Sequence, residues 1–460
     1  MEIRNPANPS KVVATYKLMQ TEEVDSLVER AKVAQGAWAK VSQLERGRIV
    51  RDFLDALDAR KEDIASSITA EMGKILAESR GEVGKALGEG NMTIERAASP
   101  IGDVLPSQIP GVTAYSIRRP RGVILGISPW NFPFGTPIRK TIPALLYGNA
   151  MILKPAILCP GAAVIMEDVA RGILPDGLFQ LALGPGELGQ QLCEHPDVDA
   201  ISFTGSVGVG KKVAVAAVSH LAEISLELGG KNPVILNDAS DLEKVLDQIF
   251  SAAFAISGQR CTAISRVIVH ENIADEVVRG LSERAKATIP SDGSEHGAKM
   301  GPLSSQRQLD DVAGFVCRAK DQGATIVAGG NAIDTPHGGY FYTATILSDV
   351  TPDMEIAREE VFGPVLSVLR YQEIDEALRI ANDVDFGLTS CLYSEKSPII
   401  ERFLSESESG MLHVNAGSFP ENHVPFVGIK DSALGVGGSN GSSTIQFFTS
   451  EHAVYRKGHA

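Results

Sequence analysis

Residues 122–155 read GVILGISPWNFPFGTPIRKTIPALLYGNAMILKP, and the apolar runs at the two ends of this stretch decide the fold class. The runs at 122–128 and 149–155 are rich in Val, Ile and Leu and are bounded by Gly and Pro, which is typical of strands buried on both faces. Further runs of this kind alternate with helical patterns such as those at 161–172 and 241–256. They are LFQLALG (178–184), DAISFTG (199–205), NPVILND (232–238), RVIVHE (266–271), ATIVAGG (324–330) and VLSVLRY (365–371). The sequence therefore predicts an α/β fold with parallel sheets covered by helices.

The apolar runs fall into two consecutive series, at about 122–229 and 230–415. Two series predict two doubly wound domains with a ligand-binding crevice between them. Ahead of them, residues 21–98 have the apolar periodicity of helices. One helical stripe is formed by Val24, Leu27, Val28, Ala31 and Trp38. The segment 101–121 has two short extended pieces around a Pro/Gly turn, and we expect it to form a hairpin outside both series.

Composition excludes several classes of protein. Of 460 residues, 43% are apolar and 22% are charged, which is typical of a globular protein and not of a disordered chain or a disulfide scaffold. The 43 Lys and Arg residues against 57 Asp and Glu give a net charge of −14, which disfavours nucleic acid and anionic membranes as partners. A local basic pocket remains compatible with this charge.

The five cysteines are dispersed and odd in number, without CxxC or a Cys/His cluster at metal-ligand spacing. Reduced thiols and no metal site are therefore expected. The N-terminus MEIRNPANPSKVV lacks the basic and apolar regions of a signal peptide. No stretch approaches the ~20 apolar residues of a membrane span. We expect a cytoplasmic protein.

Cys261 lies in a short connection between a predicted helix and the strand RVIVHE. The helix begins at Ser240-Asp241-Leu242-Glu243, which has the form of a capping box. A connection between two rigid elements can present a nucleophile, and the charge of Arg260 would favour the thiolate. The alternative is a buried structural cysteine, which is the commoner role of a cysteine taken at random.

Two polar residues follow strands at positions suited to chemistry. Glu227 alternates with the apolar residues of EISLEL and lies just before Gly229, so it is a candidate general base at a strand end or, alternatively, a solvated strand residue. Asn131 follows the strand GVILGI in the turn SPWNFP, where its amide could donate to an oxyanion or serve only the turn.

Two glycine-rich loops are candidates for binding phosphate. Residues 184–189 (GPGELG) match GxGxxG, but Pro185 removes one N–H donor and no acidic residue follows at the expected spacing. Residues 203–208 (FTGSVG) join a strand to a helix, and a helix N-terminus binds anions through its free N–H groups. Either loop could be a simple connection between strand and helix.

Six motifs occur in order over almost the whole chain: SPWNFP (128–133), LKP (153–155), FTGS (203–206), LELGGKNP (226–233), SGQRCTA (257–263) and EEVFGPV (359–365). Together they resemble the NAD(P)-dependent aldehyde dehydrogenase superfamily. The resemblance implies that Cys261 is the nucleophile, Glu227 the general base, and Asn131 a donor in the oxyanion hole. It also implies oxidation of an aldehyde to its acid through a thiohemiacetal and a thioester. Because relatives that transfer the acyl group to coenzyme A commonly lack this glutamate, hydrolysis is favoured.

The resemblance also assigns the cofactor site. Lys154 and Glu360 match the residues that hold the two ribose rings, and Phe362 packs near the nicotinamide ribose. Gly205 and Ser206 match the pyrophosphate-binding turn, so the family favours FTGS over the GxGxxG loop. The further residues implied for this site are Ile127, Pro129, Trp130, Ile157, Gly186, Gly189, Phe203, Leu228 and Gly229.

The family architecture implies three parts. Residues 1–100 and 122–229 would form the NAD(P)-binding domain, 230–425 the catalytic domain, and 101–121 with 426–460 an oligomerisation arm and C-terminal tail. The tail STIQFFTSEHAVY resembles the strand that completes a neighbour's sheet, so a homodimer or homotetramer is expected.

Substrate and cofactor preference follow from departures within the motifs. With Arg260 next to the nucleophile, SGQRCTA resembles members that oxidise short anionic aldehydes, including 2-oxoglutarate semialdehyde dehydrogenases and non-phosphorylating glyceraldehyde-3-phosphate dehydrogenases. Succinate semialdehyde dehydrogenases are close competitors, and a broad-specificity aldehyde dehydrogenase is a further alternative. Arg139 and Arg96 are further candidate anion anchors, and the run at 118–121 could serve either substrate or assembly. Ile157 stands where the family often has a Glu that binds the adenosine ribose, so NADP is a plausible cofactor beside NAD.

Two alternatives of another class remain at this point. A thiol hydrolase would pair Cys261 with a histidine, but none of the nine histidines lies in such a motif, and a hydrolase has no need of the cofactor motifs. A non-catalytic binding protein on the same scaffold would not require Cys261, Glu227 and Asn131 together.

Overall fold

The computed structural model of the chain describes residues 1–99, 101–436, 440–441 and 443–457. Its strands are β1 (Glu2–Asn5), β2 (Asn8–Thr15), β3 (Val104–Leu105), β4 (Val112–Pro120), β5 (Val123–Ser128), β6 (Ala150–Pro155), β7 (Phe179–Leu181), β8 (Ala200–Thr204), β9 (Glu223–Glu227), β10 (Asn232–Leu236), β11 (Ile264–His270), β12 (Thr325–Ala328), β13 (Ala332–Ile333), β14 (Phe341–Tyr342), β15 (Thr345–Ser348), β16 (Val365–Tyr371), β17 (Phe386–Gly387), β18 (Thr389–Tyr393), β19 (Met411–Val414), β20 (Ile429–Lys430), β21 (Ala433–Gly435) and β22 (Thr449–Lys457).

The helices cover both faces of the main sheets. They are α1 (Val24–Trp38), α2 (Gln43–Ala59), α3 (Lys61–Met72), α4 (Leu76–Glu95), α5 (Gly135–Leu146), α6 (Gly161–Ala170), α7 (Gly186–Glu194), α8 (Val207–Val218), α9 (Leu242–Phe254), α10 (Glu271–Ala287), α11 (Gln306–Asp321), α12 (Glu355–Arg358), α13 (Ile374–Asn382), α14 (Ser397–Glu406) and α15 (Ser443–Phe448). In the part of the chain that the structure describes, no helix is long and apolar enough to cross a membrane.

The first main sheet has the strand order β21-β9-β8-β5-β6-β7, in which β5 to β9 are parallel. The chain runs from β5 through β6 to β7 on one side and then returns to β8 and β9 on the other side of β5. This reversal makes a topological switch point, and ligands of such sheets bind there, outside the carboxyl ends of the strands. The edge strand β21 runs antiparallel to β9, so this part of the segment 426–460 lies in the first sheet.

The second main sheet has the order β12-β15-β16-β11-β10-β18-β19. Its strands are parallel except for β12, which runs antiparallel to β15 at the edge. The prediction of two doubly wound, largely parallel sheets is therefore confirmed.

Helices α1 to α4 account for the predicted helical block at 21–98. Their apolar stripe packs into the core of the first sheet, where Trp38 is buried and donates its indole N–H to the carbonyl oxygen of Leu145 over 2.8 Å. Burying one large apolar side chain stabilises a fold by roughly 1.5–3 kcal/mol. This stripe therefore fixes the N-terminal helices against α5, the helix that contains Arg139.

A separate antiparallel sheet of β3, β4 and β22 stands outside the two main sheets. The pairing of β3 with β4 confirms the hairpin expected at 101–121, and β22 adds the C-terminal segment to it. Arg118 and Arg121 of the basic run form ion pairs with Glu451 and Glu223. These two arginines therefore join the hairpin to neighbouring elements.

Candidate active site

A cavity of about 480 Å³ lies between the two main sheets. It is lined by most of the residues singled out from the sequence: Ile127, Pro129, Trp130, Asn131, Arg139, Lys154, Phe203, Gly205, Ser206, Glu227, Leu228, Gly229, Cys261, Glu360 and Phe362. The candidates Ile157, Gly186, Gly189, Arg260 and Arg96 are outside this lining.

The two domains present opposite strand ends to the cavity. Asn131, Lys154, Gly205 and Glu227 lie at or just beyond the carboxyl ends of β5, β6, β8 and β9. Cys261 and the EEVFGPV loop instead precede β11 and β16, so they lie at the amino ends of the second sheet. The carboxyl ends of the strands in the first sheet thus face the amino ends of the strands in the second sheet across the cavity.

The connection before Cys261 has an unusual backbone. Helix α9 is capped by Asp241, whose side chain accepts the N–H of Lys244 over 3.1 Å, so the cap lies one residue later than the predicted box. The helix ends at Phe254, and Ile256 and Ser257 then adopt φ values of 55° and 56°. The left-handed region costs a non-glycine residue about 1–3 kcal/mol, so it must be held by its surroundings.

Buried polar groups hold this turn. The N–H of Ile256 donates to Glu78 over 2.7 Å, and the hydroxyl of Ser257 donates to the carbonyl oxygen of Gly301 over 2.8 Å. Gly258 also has a positive φ of 70°, and a Cβ there would come within 2.1 Å of the carbonyl oxygen of Gly363. Only glycine therefore lets the chain turn toward Cys261 at this point.

The Cys261 backbone is fixed by Asn232, whose amide donates to the carbonyl oxygens of Cys261 and Ala263 over 2.7 and 2.9 Å. Burial, together with the charges of Glu360 and Glu227, raises the pKa of the Cys261 thiol to about 12. Arg139 and Arg260 act in the opposite direction, as expected of Arg260, but they do not outweigh burial. The thiol is therefore protonated at neutral pH in this state.

Asn131 connects the first domain to the nucleophile loop. Its Nδ2 donates to the carbonyl oxygen of Gln259 over 2.9 Å, and its own carbonyl oxygen accepts from Lys74 over 2.6 Å. Lys74 forms a fully buried ion pair with Glu82 at 2.6 Å, and Glu82 also accepts the N–H groups of residues 134 and 135 at the start of α5. Sequence patterns gave no sign of this support, because Lys74 and Glu82 lie in an ordinary helical segment.

Glu227 is buried at the end of β9 and accepts a hydrogen bond from Thr204 over 3.3 Å. The same hydroxyl accepts from Lys140 over 3.0 Å, and Lys140 also donates to Ser202 over 2.8 Å. Burial lowers the pKa of Lys140 to about 8, although the charge of Glu227 partly opposes this. A chain of hydrogen bonds from Lys140 through Thr204 thus reaches the candidate base. Neither Lys140 nor Thr204 was singled out from the sequence for this role.

Arg139 is one of the charged residues that line the cavity. Its Nε and one terminal nitrogen donate to the two carboxylate oxygens of buried Glu89 over 2.8 and 3.1 Å. Its guanidinium lies 5.1 Å from the ring centroid of Phe426. Lys85 lines the same end of the cavity and donates to the carbonyl oxygen of Pro420. Two cations therefore face this part of the cavity.

The other candidate arginines are turned elsewhere. Arg260 donates to the carbonyl oxygen of Ala252 over 2.6 Å and lines a small separate cavity. Arg96 donates to the carbonyl oxygen of Gly441 and lines a shallow cavity beside His423. The structure brings only Arg139 of these three to the cavity of Cys261.

Close packing surrounds the residues expected to bind the cofactor. A Cβ on Gly229 would lie 2.2 Å from a carboxylate oxygen of Glu360, so glycine keeps this wall open. Glu360 accepts the N–H of Gly230 over 3.0 Å, and burial raises its pKa to about 7. Phe362, held at a φ of 54°, packs edge to face on Trp130 with ring centroids 5.3 Å apart.

The phosphate and adenosine ends of the site are also of suitable chemistry. Ser206 is the N-cap of α8 and makes no side-chain cap hydrogen bond, so the first N–H groups of that helix can bind an anion. Lys154 is buried, which lowers its pKa, and a Cβ on Gly189 would lie 2.9 Å from its Cε. Gly186 is the first residue of α7, the helix that also contains Gly189. Ile157 lies two residues after the end of β6. Of these residues, Lys154 and Ser206 line the cavity, and their chemistry is compatible with an anionic ligand.

Gln308 was not singled out from the sequence. It lines the cavity and donates to the carbonyl oxygens of Val361 and Phe362 over 3.2 and 3.0 Å. It thereby holds the loop that carries Glu360 and Phe362. No local pattern marks it, because it lies in the first turn of an amphipathic surface helix.

A thiol, an amide donor and a carboxylate line one cavity between two doubly wound domains. This combination is the one expected of a nucleotide-dependent oxidoreductase that uses a cysteine. The profile of the Aldehyde dehydrogenase family matches residues 1–454. The chain is an oxidoreductase and belongs to the aldehyde dehydrogenase family.

Individual relatives agree with this assignment. The chain is 37% identical to Alpha-ketoglutaric semialdehyde dehydrogenase of Bacillus subtilis (strain 168), over 99% of this chain and 94% of that protein. The crystal structure of lactaldehyde dehydrogenase from Escherichia coli superposes with a TM-score of 0.96 at 33% identity, covering 100% of this chain and 96% of that one. Betaine aldehyde dehydrogenase from Staphylococcus aureus in complex with NAD+ also has a TM-score of 0.96, at 28% identity over 99% and 91% of the two chains.

Proposed function

We propose that this enzyme oxidises a short anionic semialdehyde to the corresponding carboxylic acid, with a nicotinamide dinucleotide as oxidant. The observation that carries the substrate class is the position of Arg139, whose guanidinium lines the same cavity as Cys261 and Asn131. The semialdehyde dehydrogenase of Bacillus subtilis supports the same class, because it is similar over nearly the full length of both chains.

In the proposed reaction, the Cys261 thiol loses its proton to water, and the resulting thiolate adds to the aldehyde carbon and forms a thiohemiacetal. The carbonyl oxygen becomes an oxyanion, which the Asn131 amide stabilises together with the backbone N–H of Cys261. When bound, the cofactor supplies the acceptor for the hydride that leaves the former aldehyde carbon. Loss of that hydride leaves a thioester on Cys261.

Glu227 is proposed to act in the second half of the reaction. Its carboxylate takes a proton from water, and the hydroxide attacks the thioester to release the acid and the Cys261 thiol. The hydrogen bond from Thr204 supports this role, because it holds the Glu227 carboxylate at the end of β9, and Lys140 in turn holds the Thr204 hydroxyl.

Arg139 and Lys85 are proposed to hold the carboxylate of the substrate at the far end from Cys261. A planar guanidinium binds a carboxylate through two parallel hydrogen bonds, and such a pair fixes orientation as well as charge. Arg260 and Arg96 are not assigned this role, because their hydrogen bonds turn them away from the cavity.

We propose that NADP serves beside NAD. Lys154, Glu360, Gly205 and Ser206 are proposed to hold the two riboses and the pyrophosphate. Ile157 supports acceptance of a 2′-phosphate, because an apolar residue there neither binds the ribose hydroxyls nor repels a phosphate as a carboxylate would.

A homodimer or homotetramer in the cytoplasm completes the proposal. Val104, Leu105 and Ile109 on the arm are exposed apolar residues, and β22 and β19 stand at the edges of their sheets in the described residues. An edge strand carries unpaired backbone groups that a second copy can pair with. All five cysteines are free thiols, which is compatible with a reducing compartment.

The test is a panel of aldehydes with NAD and with NADP, in which the absorbance of the reduced nicotinamide is followed. Succinate semialdehyde and 2-oxoglutarate semialdehyde are expected to have a kcat/KM at least about tenfold above butanal and benzaldehyde, because an ionic hydrogen bond contributes this much or more. Equal efficiency with benzaldehyde would contradict the anionic substrate, and no reduction with any aldehyde would contradict the enzyme function. Light scattering of the purified protein measures the oligomeric state.

A further inference from the structure

The guanidinium of Arg139 is occupied along one edge only. Glu89 accepts from Nε and from one terminal nitrogen, which is the side-on arrangement of a bidentate ion pair. Phe426 covers one face of the same group, so the guanidinium plane is held. The other terminal nitrogen makes no hydrogen bond among the described residues. One edge of the guanidinium is thus left for a substrate group.

Glu89 acts on the cavity without lining it. Its side chain is only 6% exposed and is not part of the cavity wall, whereas Arg139 is part of it. The carboxylate therefore stands behind the arginine as a fixed negative charge. Any anion that binds the free edge of Arg139 shares that cation with Glu89.

Few charged groups surround Arg139 at its end of the cavity. Within the described residues, the cations that line it are Arg139 and Lys85, and Glu421 lies close enough to raise the pKa of Lys85. Glu89 acts on both Arg139 and Lys85. Arg260 also acts on Lys85, and Glu227 on Arg139, so the charges at this end nearly cancel. Glu89 supplies one of the negative charges, so it disfavours a phosphate monoester with two charges more than a carboxylate with one.

We infer that Glu89 is a specificity-determining residue that restricts the enzyme to aldehydes carrying a single negative charge and excludes phosphorylated aldehydes. It acts through Arg139 as a positioning and charge-compensating group and does not touch the substrate. This inference rests on the proposed function, because it assumes that the anionic end of the aldehyde lies at Arg139. It separates the semialdehydes from glyceraldehyde 3-phosphate, which the sequence motifs alone leave as alternatives.

The experiment compares succinate semialdehyde, which carries one charge, with glyceraldehyde 3-phosphate, which carries two, and with neutral butanal. We expect Glu89→Gln to raise the ratio of kcat/KM for glyceraldehyde 3-phosphate over succinate semialdehyde by about tenfold or more, because the amide keeps the shape of the side chain but removes its charge. Glu89→Asp, which retains the charge, is the matched control and should keep the parental ratio. Butanal reports changes that have no relation to substrate charge.

A double-mutant cycle links the effect to Arg139. In the Arg139→Met background, Glu89→Gln should change the ratio far less than in the parental enzyme, because only the longer-range effect of Glu89 on Lys85 remains. Lys85→Gln provides an independent variant outside the ion pair, and it should lower the ratio because it removes a positive charge. If Glu89→Gln does not fold, Lys85→Gln still tests whether the charge at this end of the cavity sets the ratio.

The outcomes are distinct. A ratio that stays at the parental value in Glu89→Gln, or a loss of activity that is equal for all three aldehydes, overturns the inference and leaves the proposed function standing. A Lys85→Gln enzyme with a raised ratio also overturns it. A parental enzyme that prefers butanal to succinate semialdehyde instead overturns the proposed substrate class, and this inference with it.

Discussion

The side-chain amide of Asn131 donates a hydrogen bond to the carbonyl oxygen of Gln259, with the two atoms 2.9 Å apart. This contact joins the turn after β5 in the first domain to the loop that carries Cys261 in the second. The oxyanion donor and the nucleophile are therefore held together by one hydrogen bond across the domain boundary. Lys74, which binds the backbone carbonyl of Asn131, fixes the same turn from behind.

Asn131→Ala should lower kcat by about 10²–10³, the usual loss when one oxyanion donor is removed. The thermal midpoint should fall only slightly, because a single net hydrogen bond contributes about 1 kcal/mol. Steady-state kinetics and a melting curve measure the two effects. A variant with near-parental kcat would show that Asn131 serves the turn and not the reaction.

Cys261→Ser should abolish aldehyde oxidation while cofactor binding, measured by fluorescence, persists. The serine hydroxyl has a far higher pKa than a thiol and lacks its nucleophilicity. Cys317→Ser is the matched control, because Cys317 is exposed on α11 and remote from the cavity lining. It should retain parental rates. Oxidation at a comparable rate by the Cys261 variant would remove the cysteine from the mechanism.

The rate of alkylation of Cys261 by iodoacetamide should continue to rise with pH above neutrality and should not level off near pH 7. The reason is that burial, together with Glu360 and Glu227, raises the pKa of the thiol to about 12. Measurement in the Cys317→Ser background avoids reaction at the exposed thiol. Glu360→Gln should increase the rate at pH 8 severalfold, since it removes a negative charge that raises the thiol pKa. A plateau below pH 8 in the enzyme without cofactor would contradict this environment.

Glu227→Gln should give a rapid burst of reduced nicotinamide of about one equivalent per site and then stall. The first half of the reaction does not require this base, whereas hydrolysis of the thioester does. Stopped-flow absorbance resolves the burst from the steady state. Glu223→Gln, at the other end of β9, is the control: it loses an ion pair with Arg121 but should turn over at the parental rate. Steady turnover by the Glu227 variant would assign the base elsewhere.

Ile157→Glu should shift the cofactor preference toward NAD. A carboxylate there can accept hydrogen bonds from the adenosine ribose and repels a 2′-phosphate, so the kcat/KM ratio of NAD over NADP should rise by about tenfold or more. Leu158→Glu, at the exposed neighbouring position, adds the same charge and should leave the ratio close to the parental value. An unchanged ratio in Ile157→Glu would mean that Ile157 does not face the cofactor.

The fold class and more than half of the residues that line the cavity could be predicted from the sequence. Buried parallel strands need apolar residues on both faces, so β5, β6, β8 and β10 are visible as short Val, Ile and Leu runs. Strand ends at a sheet edge meet in space, which is why motif residues such as Asn131, Lys154 and Glu227 could be grouped without coordinates.

Which of the candidate arginines reaches the cavity could not be predicted from the sequence. Arg260 is next to Cys261 in sequence but points toward Ala252, whereas Arg139 reaches the cavity because Glu89 and Phe426 hold it there. Side-chain direction and burial are set by partners that are distant along the chain. The same reason applies to the thiol: an adjacent arginine predicts a lowered pKa for Cys261, but desolvation in the closed cleft between two domains raises it.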